Sequence, residues 1–268
     1  MNWGYCMKKT EKSILYKYYP PEEYVFEALT QGTICFTDLY SQNDPFEAMG
    51  FYRNTPGSKP SIPAESELQK TISQYITEED RNFLRNECRI FCSTTECNRP
   101  LMWAHYARSH SGICVGYDYQ DIQKYCDILK PVKYLTVPLE KDISYDHPER
   151  FLLLKATDWR YEKEIRGIYT IKSQDCRITD TLTEYSACET DYDEKYLFFA
   201  KPNDRIGESV RALRRIIKKC EPREIILGIC TSAEIEQRVQ TICREKHIPL
   251  YKAQQKENTF EVLRVRIM

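Results

Sequence analysis

Three segments hold the side chains best placed by type and spacing to do chemistry. The first is Leu15-Tyr16-Lys17-Tyr18. A cation between rings on a strand can hold a phosphate or a ribose while a ring covers a base; the same pattern also describes an ordinary strand with a snorkelling lysine. In the second, Phe91-Cys92-Ser93-Thr94-Thr95 leads into Leu101-Met102-Trp103-Ala104-His105-Tyr106-Ala107, then His110-Ser111-Gly112. Hydroxyls at a strand end, followed by a helix bearing Trp103, His105 and Tyr106, would gather donors and π-faces at one mouth. That mouth would suit a flat heteroaromatic ligand, although Trp103 and Tyr106 taken singly also read as core anchors. The third is Trp159-Arg160-Tyr161-Glu162-Lys163-Glu164-Ile165-Arg166. On a strand, Glu162, Glu164 and Arg166 share one face. They form either an exposed charged edge or a pair of carboxylates aimed at one substrate, one stabilising an electron-poor centre and the other positioning a nucleophile.

Other chemistries find less support. Cys88, Cys92, Cys97, His105, His110 and Cys114 are soft ligands near in sequence, but no C-x-x-C spacing joins them, so no metal is expected. Nine glycines, with no G-x-G-x-x-G and no G-x-x-x-x-G-K-[ST], speak against a Rossmann site and a P-loop. Arg211, Arg214, Arg215, Lys218, Lys219 and Arg223 would make a phosphate-binding stripe for a nuclease using His105, His110 and Glu164. A formal net charge of −1 favours reading that stripe as a solvated helix face instead.

The elements that must position these groups follow from periodicity and punctuation. Residues 14–19 form a strand stopped by Pro20-Pro21; Tyr24 to Leu29 is a short helix closed by Gly32; 34–36 is a strand. Asp44-Pro45-Phe46-Glu47 is a helix start, with further helices expected around Leu68–Ile76 and after Thr77. Strands at 89–93 and 113–117 flank a helix opened by Pro100, a helix over 149–157 precedes a strand at 165–171, and strands at 224–229 and 248–252 flank a helix capped by Thr231 or Ser232. The last strand, 260–267, slips in alternation at Val262-Leu263, the mark of a bulge. The mixture lacks a regular βα repeat and predicts an α+β fold. A single domain over 1–268 is expected, with 206–268 as a possible C-terminal extension and an acidic stretch at 175–205 as the alternative boundary. No apolar run of membrane-spanning length and no secretory leader is visible, so a soluble cytoplasmic protein without membrane contact is expected, its twelve cysteines free thiols.

Asn43-Asp44-Pro45-Phe46-Glu47, the Met102-Trp103-x-His105-Tyr106-Ala107 helix and Trp159-x-Tyr161-Glu162-x-Glu164-x-Arg166 together resemble a widespread bacterial domain of unknown function. The order of segments also resembles the ADP-ribosyltransferase superfamily, with Lys17 and Tyr18 on the first strand, Ser93-Thr94 before a helix bearing Tyr106, and a Glu162-x-Glu164 pair; Lys17 departs from the superfamily's Arg or His. That resemblance implies one domain with a central mixed, strongly twisted and split sheet flanked by helices. It further implies NAD as substrate, an unidentified macromolecular acceptor, and a bacterial phage-defence or toxin setting. Glu164 would stabilise the oxocarbenium-like centre and Glu162 would serve the acceptor. Tyr18 and Tyr106 would sandwich the nicotinamide, with Ser93, Thr94, Lys17, Trp103 and His105 around the dinucleotide. Such a site needs Ser93 and Glu164 on the same side of the sheet. A nuclease and a non-catalytic nucleotide sensor remain as alternatives.

Overall fold

The computed structural model describes residues 14–44, 83–84, 87–136, 148–172 and 215–268, together with the backbone of three short strands at 177–178, 183–184 and 199–200. In chain order the elements are β1 (Ile14–Tyr19), α1 (Glu23–Gln31), β2 (Thr33–Thr37), β3 (Cys88–Thr94), α2 (Pro100–Tyr106), β4 (Ile113–Asp118), α3 (Tyr119–Gln123), β5 (Ile128–Pro131), β6 (Lys133–Leu135), β7 (Leu154–Ala156) and β8 (Glu164–Thr170). They continue with β9 (Arg177–Ile178), β10 (Thr183–Glu184), β11 (Phe199–Ala200), β12 (Arg215–Lys219), β13 (Glu224–Leu227), α4 (Ala233–Lys246), β14 (Leu250–Gln255) and β15 (Val262–Arg266). The fold is α+β.

Ten strands make the main sheet, in the order β12-β2-β3-β1-β4-β13-β14-β15, with β8 paired to β3 and β5 paired to β8. All its pairings are antiparallel except β13 with β14. One edge of β3 is paired along its whole length by β8, from Cys88↔Thr170 to Thr94↔Glu164. Its other edge is divided between β1, at Tyr16↔Thr94, and β2, at Thr37↔Ile90. The C-terminal tail adds β13, β14 and β15 to this same sheet through β4. Strands β9, β10 and β11 pair with one another, in the order β11-β10-β9.

Alternation along each strand sends side chains to the two faces of the sheet. Leu15, Phe36, Phe91, Val115 and Ile225 pack beneath α1 and α4, which contribute Val25, Phe26, Leu29 and Val239, Ile242, Cys243. Tyr16, Tyr18, Cys114 and Ile226 face the other way, against Met102 and Trp103 of α2. The helices stop where the chemistry of their ends dictates. Gly32, at φ 64°, closes α1 and returns its N–H to the carbonyls of Ala28 and Leu29. Ser232 opens α4 by accepting from the Ile235 N–H at 3.4 Å. After α2 the chain makes a left-handed turn through Arg108, Ser109 and His110, and Gly112 lets it pass close to β1. A Cβ at Gly112 would sit 2.1 Å from the Tyr19 carbonyl oxygen.

Several expectations need correction. The helix expected over 149–157 is a 3-10 turn, Pro148–Leu153, followed by β7. Leu152, Leu153 and Leu154 are all buried, and three consecutive apolar residues fit a turn entering a strand better than one face of a helix. No bulge forms at Val262-Leu263: β15 pairs in unbroken register from Gln255↔Val262 to Tyr251↔Arg266. The break in alternation appears as exposure instead, with Val262 buried and Leu263 and Val265 facing solvent on an edge strand. The basic segment 215–219 is a strand, not a helix face, so Lys218 lies over the Tyr169 ring while Lys219 donates to the Gln31 carbonyl. The helices expected from Pro45 onward to residue 80 fall outside the described residues, as do most of 175–205. No helix among the described residues is long and apolar enough to cross a membrane.

Candidate functional site

The Trp159–Arg166 segment does not enter the sheet as one straight strand. Thr157–Glu162 is a 3-10 turn, Lys163 takes a left-handed conformation (φ 45°), and β8 begins at Glu164. Lys163 is thereby turned outward to pair with Glu96, while the carboxylates on either side of it turn inward. Glu162 and Glu164 are each only 3% exposed, and Arg166 is fully buried. Between the carboxylates lies Lys155 of β7, whose Nζ donates to Glu162 Oε2 at 2.6 Å and to Glu164 Oε2 at 3.0 Å. Arg166 clamps Glu164 with two further bonds, Nε to Oε1 at 2.7 Å and Nη2 to Oε2 at 2.9 Å, and gives Nη1 to the Leu152 carbonyl at 2.6 Å. The Glu164 N–H donates to the Tyr134 hydroxyl at 2.8 Å.

The remaining oxygen of Glu162 accepts from the Tyr106 hydroxyl, and that hydroxyl accepts from Asn43 Nδ2 at 3.1 Å. A continuous line of polar contacts thus runs Asn43–Tyr106–Glu162–Lys155–Glu164–Arg166. All of its members except Lys155 come from the three segments that carried the family resemblance, spread over more than a hundred residues of chain. Among the described residues the line sets two carboxylates against two cations, the pairing that burial of charge requires.

Electrostatics separates the two glutamates. Burial alone would raise Glu164, but the Arg166 guanidinium, then the Lys155 ammonium, and hydrogen bonds from Arg166 and Cys92 outweigh it and hold its pKa at about 2. Glu162 moves the other way. Burial raises its pKa, Lys155 only partly offsets that, and the neighbouring charge of Glu164 adds to the rise. Tyr106 is pushed upward by burial and by the Glu162 charge, so its phenol stays protonated as the donor. Glu164 is therefore a fixed anion, and Glu162 is the carboxylate with affinity for a proton. A carboxyl lowered in the folded state contributes stability above its unfolded value and loses it as pH falls through the folded one. The wild type is expected to lose stability between about pH 4.5 and pH 2 through this group, and Glu164→Gln should flatten that part of a urea-unfolding profile measured against pH.

The sequence-derived residues divide between the two faces of the sheet. Directly opposed residues of antiparallel strands share a face, so the pairings Thr94↔Glu164 and Cys92↔Arg166 place these four together. Ser93, opposite Ile165, points to the other face, and its hydroxyl donates to the Ile165 carbonyl at 2.8 Å. A single ligand contacting both Ser93 and Glu164 is thus not what this sheet offers. Lys17 also belongs to the Ser93 side: its Nζ donates to the Cys92 carbonyl at 3.0 Å and lies 4.8 Å from the Phe91 ring centroid, tying β1 to β3 where β2 and β1 part. Tyr18 is on the Glu164 side but buried, edge-on to Trp103 at 5.0 Å with its hydroxyl on the Glu96 carbonyl. Trp103 is fully buried with its Nε1–H on the Cys97 carbonyl at 3.0 Å, and Thr94 Oγ1 accepts from the Glu96 N–H. These three are structural. His105 is exposed and its ring lies 6.0 Å from that of Tyr161; His110 instead stacks on Trp103 at 6.5 Å. Of the nine proposed site residues, Glu162, Glu164 and Tyr106 meet in one cluster and His105 stands at its edge. Among the described residues no group of three or more His, Cys, Asp or Glu is placed to hold a metal ion.

Sequence reasoning missed Lys155, Tyr134 and the role of Asn43. Lys155 had a signal, being the only charge in the apolar run Phe151–Ala156.

Residues 102–167 match the family described as a protein of unknown function, DUF2971. The resemblance to a domain-of-unknown-function family is supported over that segment, which carries Tyr106, Lys155, Glu162, Glu164 and Arg166. Comparison with curated proteins and with solved structures gave no match.

Proposed function

We propose that this chain is an enzyme that breaks the bond between nicotinamide and ribose in NAD and passes the ADP-ribosyl group to a macromolecular acceptor. Glu162 is the carboxylate at the reacting centre. The observation carrying this reading is the Asn43–Tyr106–Glu162–Lys155–Glu164–Arg166 line, in which Glu162 is the carboxylate whose proton affinity is raised and which has one oxygen on a neutral hydroxyl rather than on a cation. Loss of nicotinamide leaves an oxocarbenium-like C1′, as in glycoside cleavage. The C1′–N bond breaks with its electron pair leaving on nicotinamide, a C1′–O bond forms to water or the acceptor hydroxyl, and Glu162 takes the released proton. A substrate hydroxyl would take the place of the Tyr106 hydroxyl on Glu162. Glu164, Lys155 and Arg166 position and polarise that carboxylate.

The division of the β3 edge between β1 and β2 supports the same reading, because a split sheet is what resemblance to the ADP-ribosyltransferases implies. The dinucleotide site implied by that resemblance, with Ser93 and Glu164 on one side of the sheet, is not formed. The proposal keeps the reaction and rests it on Glu162, so Ser93 and Lys17 have no part in it and the roles expected of Glu164 and Glu162 are exchanged. A bacterial defence or toxin setting and cytoplasmic action accompany the proposal. The test is nicotinamide release from NAD by the purified chain, with and without cell lysate as a source of acceptor. Slow release alone and faster release with lysate is the expected result. Tight NAD binding without release would instead make the chain a nucleotide sensor. Neither binding nor release, together with magnesium-dependent cleavage of nucleic acid, would make it a nuclease.

A further inference from the structure

Resting on the reading of Glu162 as the reacting carboxylate, we infer that Trp159, Tyr161 and His105 form a ring-binding wall at the mouth of that site, taking a flat heteroaromatic ring of the nucleotide substrate. The Trp159 and Tyr161 centroids are 6.1 Å apart with planes tilted by 40°, and Tyr161 and His105 are 6.0 Å apart at 35°. The band continues to Tyr106, 6.3 Å from His105, and Tyr106 is the residue that bonds Glu162. The rings therefore follow one another like overlapping tiles towards the buried carboxylate.

Their burial sets them apart from the core aromatics. Tyr18 and Trp103 are buried and meet edge-on, as packing rings do. Trp159 and Tyr161 are half-buried and His105 is exposed, so each keeps surface for a ligand. The Lys155 ammonium, 5.1 Å from the Trp159 centroid and itself buried between two carboxylates, fixes the indole from one side. Tyr161 and His105 end in polar groups that suit the amide or amine of a nitrogen heterocycle, while stacking supplies affinity without demanding one base. Nicotinamide and adenine share this chemistry, and the two arms of the test distinguish them.

The full chain is titrated with nicotinamide and, separately, with adenosine monophosphate, following tryptophan fluorescence. Saturable quenching by one of them is expected, and the responding ligand names the half of the dinucleotide held by the wall. Trp159→Phe should retain binding measured by calorimetry but lose the quenching, since it keeps a ring and removes the indole. Tyr161→Leu should weaken binding about tenfold and raise the KM for NAD by a larger factor than it lowers kcat. Its melting temperature reports whether it is folded. Quenching by neither ligand, or wild-type binding by folded Tyr161→Leu, would overturn the wall. Wild-type chain that never releases nicotinamide would overturn the enzymatic reading while leaving the ring titration to decide the wall.

Discussion

Lys155→Met is expected to cost about 3 kcal/mol of folding stability at neutral pH, the scale on which a buried ion pair responds to losing one partner. The methionine fills similar volume, so packing changes little; what is lost is the cation shared by two buried carboxylates. Glu164 keeps both its bonds from Arg166. Glu162 keeps only the Tyr106 hydroxyl, and its pKa, already raised by burial, must rise further without the ammonium that lowers it. A carboxyl raised in the folded state costs nothing below its unfolded value and an increasing amount as pH climbs from there to the folded value. The deficit relative to wild type should therefore be larger at pH 7.5 than at pH 5. Urea unfolding at the two pH values measures it. A deficit below about 1 kcal/mol at both, the range of an exposed pair, would mean that Lys155 is not the shared partner.

That lysine also shows where the sequence was informative and where it was not. The elements were legible wherever punctuation was strong: Pro20-Pro21, Gly32, Pro100 and Ser232 mark real ends, and the strands around them carry the expected residues. The candidate site was half legible. Tyr106, Glu162 and Glu164 were found because short motifs grouped them, but motifs do not record faces. Ser93 and Thr94 are adjacent hydroxyls of equal promise in a sequence, and a sheet must send them to opposite sides. Which of the two faces Glu164 is decided by the register of β3 with β8, a pairing across some seventy residues that local pattern does not encode. Lys155 was hidden for a different reason. A lysine in an apolar run reads as a side chain escaping to water, and only the arrival of two carboxylates from the far side of a turn makes its burial favourable. Lys163 completes that arrangement, because its left-handed backbone conformation sets Glu162 and Glu164 against one ammonium. The spacing Glu-x-Glu was visible; the turn that gives it meaning was not.

Glu162→Gln is expected to lower the rate of nicotinamide release by two to three orders of magnitude, the usual consequence of removing one charged group from a reacting centre. Both simple hydrolysis and transfer to an acceptor should fall together, because both use the same carboxylate to receive the nucleophile's proton. The fold should persist: glutamine keeps an acceptor for Tyr106, and Lys155 retains Glu164. Glu164→Gln should behave differently. Both oxygens of Glu164 are held by Arg166, one of them also by Lys155, so no oxygen of Glu164 is offered to substrate. Its replacement should reduce stability, with a smaller loss of rate through misplacement of Lys155. The pH–rate profile gives a second, independent reading. Glu162, raised by burial, should appear as an acidic limb that begins above the ordinary carboxylate range, and Glu164→Gln should move that limb down in pH because the neighbouring negative charge that raises Glu162 is gone. If Glu164→Gln abolishes release and transfer while Glu162→Gln impairs transfer alone, the roles return to those implied by the ADP-ribosyltransferase resemblance, and the paired state of Glu164 is one that substrate binding must open.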